Sequence, residues 1–474
     1  MTDAKTLQLE LDQLPDPLAI PAWTRSRGRA PLDLTIRPPG SKSLTNRALL
    51  LAAMAPGTSS IHHPLLDADD ARRMISAVEA LGARVEHGDA KLRITGVVGP
   101  WTAPAGTTID LHHSGTATRF ITGAAALAGG PITITGSARI QQRPIDELTD
   151  ALAQLGCSIE SHGTPGCPPI TVTPAAIPPT EHPVIEIGKT RSSQYISALL
   201  LIGTRLASGI TLRLTGEITS ASYIRMTLDQ LDSIGVRVQA TDDLSVLRVH
   251  PGLQPFSVDI EPDASTATYW WAAGALLPEA TVRVEGIGVP GTDSALRPSL
   301  QGDARFPDLL EQMGCTITTR TDRAGAGTAS TSCRAHGALR GILCDMSSMP
   351  DAVMTLAAVA SFARGTTVIR GVRTLRDKEC DRVRALVTEL ARIGVRVEED
   401  LGGDPDSLSI TPPEGGVDTR RGVEPVVFET YDDHRIAMAM ALIALRRPNC
   451  SIVDPACVAK SEGGFWKTLA RFYE

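Results

Sequence analysis

The sequence predicts an α/β protein of two domains, assembled from six copies of one strand–helix unit. The first observation is a short phrase that recurs where a helix-like segment gives way to an alternating strand. It reads Leu81-Gly82-Ala83-Arg84-Val85, Leu155-Gly156-Cys157-Ser158-Ile159, Ile234-Gly235-Val236-Arg237-Val238, Met313-Gly314-Cys315-Thr316-Ile317 and Ile393-Gly394-Val395-Arg396-Val397. Subtracting the glycine positions gives spacings of 74, 79, 79 and 80 residues. A helix that ends in a left-handed residue favours glycine there, and apolar alternation marks the strand that follows. Five such phrases at nearly one period mark a repeated supersecondary unit.

The second observation is a polar start followed by a small, apolar helix, found upstream of each phrase. The starts are Ser41-Lys42-Ser43 before Asn46–Ala55, Ser114-Gly115-Thr116 before Ala117–Leu127, and Ser192-Ser193-Gln194 before Tyr195–Leu206. They continue with Asp263-Ala264-Ser265-Thr266 before Ala267–Leu277, Pro350-Asp351 before Ala352–Phe362, and Asp432-Asp433-His434-Arg435 before Ile436–Leu445. The sixth start has no glycine phrase after it; Phe465–Tyr473 supplies its last helix, and the chain stops there. Ser, Thr and Asp cap orphan N–H groups at any helix start. Six starts that also carry Lys and Arg suggest anion sites at helix N-termini.

Between these markers each unit reads as strand, capped helix, strand, amphipathic helix, glycine phrase, strand pair. The second helices are expected over Asp67–Leu81, Ile145–Leu155, Tyr223–Ile234, Ala304–Met313 and Lys378–Ile393. In the last, Val383, Leu386, Val387, Leu390 and Ile393 keep the spacing of one buried face. Turn-rich junctions at Pro38-Pro39-Gly40 and Glu261-Pro262-Asp263 divide the units into two groups of three. Thr321–Arg334, rich in Gly, Ala, Ser and Thr, is expected as a surface loop.

Composition bounds the function. A chain of 474 residues is too long for one core. Its 46 basic and 53 acidic residues give a formal charge of −7, which argues against a nucleic-acid surface as its main business. No apolar run approaches the length of a membrane span. Residues 1–31 lack a signal-peptide apolar block and carry Asp3, Glu10, Asp12 and Asp16 before a basic patch at Arg25–Arg29; a partly disordered extension is expected. The eight cysteines show no CxxC pair and no Cys/His metal spacing, so reduced structural thiols are expected, with no metal and no cofactor.

The densest chemistry lies in Pro39-Gly40-Ser41-Lys42-Ser43-Leu44-Thr45-Asn46-Arg47, where a glycine turn, hydroxyls and two cations converge on one helical turn. The Walker A spacing is absent. Ser137–Pro144 adds Arg139 and Arg143 before a helix start, and Arg376–Arg382 packs alternating charges into seven residues. By itself that last stretch also reads as a solvated helix start with i,i+4 ion pairs. Asp351 and Glu379 are the acidic candidates: an acid facing several cations stays ionised and suits a proton acceptor. Spacing alone leaves open whether Asp351 is instead an N-cap behind Pro350.

From about Pro38 onward the segments resemble, in order, the enolpyruvyl transferase family. The residues that carry the resemblance are Pro39–Ala53, Ser114–Arg119, Ser137–Leu148, Ser192–Leu200, Pro350–Ala357, Leu375–Val383 and Asp432–Ala439, with Lys460 after Asp454-Pro455. The resemblance implies six βαβαββ units forming an inside-out α/β barrel, three units per domain. It places one discontinuous domain at 32–39 and 262–474, and an inserted domain at 40–261. It also implies a reaction: the carboxyvinyl group of phosphoenolpyruvate passes to the 5-hydroxyl of shikimate 3-phosphate, with release of phosphate.

By motif position, Lys42, Gly115, Arg139, Gln194, Arg382, Arg435 and Lys460 would hold phosphoenolpyruvate. Lys42, Ser43, Arg47, Ser192, Ser193, Gln194, Ser220, Tyr223, Asp351 and Lys378 would hold shikimate 3-phosphate. Asp351 would accept the hydroxyl proton, while Lys42 and Glu379 would protonate and later deprotonate the vinyl carbon through a tetrahedral intermediate. A cytoplasmic monomer without nucleic-acid or membrane partners is expected. With cations in both groups of repeats, closure of the two domains on anionic substrates is a further expectation, testable by small-angle scattering.

Departures from the family pattern are His112-His113 where the family has Gly-Asn, Thr374 where relatives place Asn, Cys380 for Ser or Thr, and Ser461-Glu462-Gly463-Gly464 for Thr-aromatic-Pro. The sister reaction on UDP-N-acetylglucosamine uses a reactive Cys in the loop corresponding to Ser137–Arg143, which has none here, and Lys-Asn in place of Lys42-Ser43. RNA 3′-terminal phosphate cyclases share related units but need ATP and a nucleophilic His, a part His113 or His434 would have to take. Retention of Lys42, Asp351 and Glu379 argues against a relative that binds metabolites without turnover.

Overall fold

The structure, a computed structural model, describes residues 4–23, 31–176, 181–290, 298–321, 329–335 and 337–474. The repeat is clearest over residues 107–173. Strand Thr107–Asp110 leads into a helix, and strand Ile132–Thr135 returns parallel to the first. A second helix follows, then the pair Ser158–Ser161 and Ile170–Thr173, and this last strand pairs antiparallel with Ile132–Thr135. Four more sheets among the described residues repeat this order of first, second, fourth and third strand.

The first helices of the repeats are α1 (Lys42–Met54), α3 (Gly115–Ala125), α5 (Ser193–Gly203), α7 (Ala264–Leu276), α9 (Val353–Ala360) and α11 (His434–Arg446). The second helices are α2 (Asp69–Ala80), α4 (Asp146–Gln154), α6 (Ala221–Ser233), α8 (Phe306–Gln312), α10 (Arg382–Ala391) and α12 (Phe465–Ala470). The two classes differ in their surroundings. Every residue of α7 is buried, whereas α2 and α10 bury one face. A helix that is apolar all round must lie inside a core. The five phrase glycines each take a positive φ, from +79° at Gly394 to +109° at Gly82. In four of them the next N–H bonds back to the last helical turn, as Ala83 N–H does to the Val78 carbonyl at 3.0 Å, closing the helix end.

The chain forms two compact units: Met1–Pro39 with Pro262–Glu474, and Gly40–Glu261. In the second, α1, α3 and α5 pack on one another; in the first, α7, α9 and α11 do so. Each unit is thus a bundle of three buried helices with its sheets and second helices outside. The first strands are exchanged. Asp33–Ile36 precedes α1 in sequence but pairs in parallel with Thr281–Glu285, in the sheet of α7. Ser257–Asp259 precedes α7 but pairs with Thr58–His62, in the sheet of α1. At the first crossing, a Cβ on Gly40 would stand 2.1 Å from the His63 carbonyl oxygen, so only glycine fits.

Three expectations change. The N-terminal segment is no loose extension over residues 4–23: Leu18–Ile20 pairs antiparallel with Cys450–Ile452, and Leu7 and Leu18 are fully buried. That strand fills, in the sixth sheet, the place the fourth strand takes elsewhere, so the repeat that ends the chain is completed by its beginning. Arg25–Arg29 lies outside the described residues. The expected loop Thr321–Arg334 is strand at both ends, in Cys315–Thr321 and Ala329–Ala335, because the latter is paired on both sides and buries Thr331 and Cys333; 322–328 is outside the described residues. Finally, the helix expected from Lys378 starts at Arg382, where the Asp381 carboxylate accepts the Arg384 N–H at 3.0 Å.

Candidate active site

In the first unit the ends of α9, α10 and α11 build one ion network. Asp351 lies in a short turn, Pro350–Ala352, ahead of α9. It does not act as a simple N-cap. Its carboxylate accepts from Arg382 at 3.1 Å and Arg435 at 2.8 Å, and Lys378 Nζ stands 3.6 Å away. Arg382, 1 % exposed, also donates to Glu379 at 2.8 Å and through Nε to Asp433 at 2.8 Å. Asp433 is fully buried and caps α11 by accepting the Arg435 N–H at 2.9 Å. Lys460 Nζ reaches Glu379 at 2.6 Å.

Four cations (Lys378, Arg382, Arg435, Lys460) therefore meet three acids (Asp351, Glu379, Asp433), leaving one positive charge in excess. Burial works against the Arg382 cation, but Asp433, Glu379 and Asp351 outweigh it and hold its pKa above the ordinary value. Lys378 and Glu379 stand in the bend before α10, so Lys378 pairs across the site with Asp351 and not along a helix face. Burial, reinforced by Asp433, pushes the Cys380 thiol far above its usual range, which makes it an inert hydrogen-bond donor to Asp433 at 3.6 Å. Behind the network, burial and then Asp351 push the Asp303 carboxyl up to about 7.

The second unit collects its candidates at the N-termini of its buried helices. Lys42 opens α1, and its Nζ lies 3.2 Å from Asp70 on α2. Arg47, one turn on, is buried. It donates to Thr227 at 2.8 Å, Ser197 at 3.2 Å, the Tyr223 carbonyl at 3.3 Å and the Ser43 carbonyl at 2.9 Å, over the Phe120 ring. These bonds engage four of its five N–H donors. These bonds tie α1, α5 and α6 together and hold the Ser43 and Tyr223 carbonyls. Burial without a carboxylate lowers its pKa to about 10.

Ser114 caps α3, and Gly115 is its first residue. A Cβ on Gly115 would meet Arg143 Nη1 at 2.6 Å and Arg119 Nη1 at 3.2 Å. Arg143 stands in sequence among the cations before a helix start and Arg119 within a quoted motif, but neither was assigned to the site, since their approach to Gly115 depends on the fold. Gln194 donates to Thr116 at 3.1 Å, joining the starts of α5 and α3. Ser192 caps α5 and Ser193 is buried beside it. His113 bonds Ser137 at 3.0 Å, which tethers the loop carrying half-buried Arg139. Ser220, at φ +51°, leads into α6, whose first turn holds Tyr223. Among the described residues no cluster of His, Cys, Asp and Glu could hold a metal. No helix among them is long and apolar enough to cross a membrane.

The sequence profile of EPSP synthase (3-phosphoshikimate 1-carboxyvinyltransferase) matches residues 26–469. The chain belongs to this family. A relative from Thiobacillus denitrificans, named 3-phosphoshikimate 1-carboxyvinyltransferase, is 41% identical over 447 residues, covering 94% of this chain and 97% of its own. One of the same name from Shewanella denitrificans is 38% identical, with 93% and 96% covered. The solved EPSP synthase of Acinetobacter baumannii shares the fold at a TM-score of 0.73 and 23% identity, over 96% of this chain and 97% of that one. The enolpyruvyl transferase NikO of Streptomyces tendae shares it at 0.69 and 19% identity, over 97% and 98%.

Proposed function

We propose that the chain transfers the carboxyvinyl group of phosphoenolpyruvate to the 5-hydroxyl of shikimate 3-phosphate and releases phosphate, a step of aromatic amino acid biosynthesis. The observation that carries the reading is Asp351, held as a carboxylate by Arg382, Arg435 and Lys378. A carboxylate so held can accept a hydroxyl proton without first losing one of its own.

The steps follow. Asp351 takes the 5-hydroxyl proton as the oxygen bonds to C2 of phosphoenolpyruvate. A proton from the Lys42 and Glu379 pair adds to C3, giving the tetrahedral intermediate. The C2–O bond to phosphate then breaks, and the same pair recovers a proton from C3. Arg382, Arg435 and Lys460 hold phosphoenolpyruvate together with Arg139, Gly115 and Gln194. Ser43, Arg47, Ser192, Ser193, Ser220, Tyr223 and Lys378 hold shikimate 3-phosphate, and Arg47 also keeps Ser43 and Tyr223 in place. Fixing two anions together converts a bimolecular addition into a nearly unimolecular one, an effect of roughly 7–11 kcal/mol. The enzyme is proposed to act as a monomer in the cytoplasm.

Phosphate release from phosphoenolpyruvate tests the reading, with shikimate 3-phosphate and UDP-N-acetylglucosamine as alternative acceptors. Release with the first alone is expected. Release with the second alone, or silence with both in folded protein, would overturn it.

A further inference from the structure

The chain enters α11 through a strained turn. Strand Val426–Phe428 leads into residues 429–433, where the Asp433 N–H bonds the Thr430 carbonyl at 2.9 Å. The two residues between, Tyr431 and Asp432, stand at φ +56° and +55°. Such a pair of positive φ values favours glycine, asparagine or aspartate, and a tyrosine there is strained. Residues in that state persist only where their surroundings fix them. Glu389, on α10, grips both the approach and the turn. It is fully buried; its Oε1 accepts the Tyr431 hydroxyl at 2.6 Å, and its Oε2 accepts the Glu429 N–H at 3.1 Å. Arg392 pairs with the same carboxylate at 2.8 Å.

Glu389 and Arg382 lie two helical turns apart on the buried face of α10. The helix therefore bonds the approach to α11 at two places: through Glu389 to residues 429 and 431, and through Arg382 Nε to Asp433 at 2.8 Å. Asp433 ends the turn and caps α11 by accepting the Arg435 N–H at 2.9 Å, and the Arg435 side chain donates to Asp351 at 2.8 Å. We infer that Glu389 is a positioning residue for Arg435. It holds the turn at 430–433 in its strained shape, and that shape sets where Asp433 opens α11 and where the Arg435 guanidinium lies. The three partners of the Glu389 carboxylate are Glu429, Tyr431 and Arg392, so it acts on the ion network through the turn. The inference rests on the reading of Arg435 as a phosphoenolpyruvate contact.

The test compares the full chain with Glu389→Gln, with Tyr431→Phe and with Glu389→Gln combined with Asp432→Gly, by steady-state kinetics in both substrates and by thermal midpoint. An amide accepts through one atom where the carboxylate accepts through two, so Glu389→Gln gives up one hold on the turn. KM for phosphoenolpyruvate is expected to rise about tenfold, the weight of one hydrogen bond to a charged group, with kcat falling less and KM for shikimate 3-phosphate nearly level. Glycine takes a positive φ without strain, so adding Asp432→Gly should recover most of that rise. A level KM for phosphoenolpyruvate in a Gln variant whose midpoint falls would overturn the inference. So would an equal rise in both KM values, or a rise that the added glycine leaves untouched. If the Gln variant does not fold, Tyr431→Phe at an exposed position decides. It removes one hydroxyl and should raise KM for phosphoenolpyruvate about threefold at a nearly unchanged midpoint; no rise would overturn the inference. A parent silent with both substrates would instead sink the functional reading, and the part assigned to Glu389 with it.

Discussion

Two arginines, one in each unit, are almost equally buried and yet are held in opposite ways. Arg382 lies among carboxylates of Asp351, Glu379 and Asp433, and its pKa is pushed up; Arg47 lies among hydroxyls and carbonyls, and its pKa falls to about 10. Burial desolvates both, and what differs is the partner. A full counter-charge outweighs the loss of water, whereas neutral dipoles satisfy the N–H groups without neutralising the cation. The first unit thus keeps its clustered cations paired with carboxylates. The second offers hydroxyls and helix N-termini on a scaffold that one internal cation cross-links.

The largest expected effect breaks the paired side. Arg382→Ala leaves fully buried Asp433 without its main partner and opens Glu379 and Asp351 to each other. Removing one partner of a buried pair costs about 3–5 kcal/mol. Urea unfolding should register that loss, and phosphate release should become undetectable. Arg47→Met is the matching experiment in the other unit. It strands only neutral acceptors, a cost of about 1–3 kcal/mol, partly offset because an uncompensated charge leaves the core. It should raise KM for shikimate 3-phosphate more than it lowers kcat. If Arg47→Met destabilises as much as Arg382→Ala, the distinction between charge-paired and dipole-paired arginines fails.

The same distinction separates what the sequence displayed from what it hid. The repeat was legible because its markers are local: a positive φ at Gly82, Gly156, Gly235, Gly314 and Gly394 requires glycine within a few residues of a helix end. Asp351, Glu379, Arg382 and Arg435 were legible because cations and acids crowd in short segments. Position within the fold was not. Nothing in the three residues Leu18–Ile20 announces a partner at Cys450–Ile452, more than 400 residues away. The strand exchange is equally silent, since Asp33–Ile36 and Ser257–Asp259 each precede a turn and a helix in the same way. Arg47 was legible as a cation at a helix start, but not its bonds to Ser197 and Thr227, 150 and 180 residues away in sequence. Asp433 read as a cap, which it is; its bond to Arg382 depends on a contact 51 residues away in sequence.

The smallest expected effect falls on the dipole-paired side and carries the sharpest geometric claim. Gly115→Ala adds one methyl group at the start of α3. Alanine suits a helix better than glycine by about 1 kcal/mol, so the change should not destabilise on backbone grounds. The methyl carbon, however, would stand 2.6 Å from Arg143 Nη1 and 3.2 Å from Arg119 Nη1. Both neighbours are the far ends of long side chains, so they can give way, and the protein should fold with its thermal midpoint nearly unchanged. The displaced guanidinium groups would then narrow or re-aim the site that Gly115 is proposed to line. KM for phosphoenolpyruvate should rise about tenfold, an energy near 1.4 kcal/mol, with kcat less affected. An unchanged KM would mean that the two arginines yield away from the ligand, and Gly115 would then be a packing residue of α3.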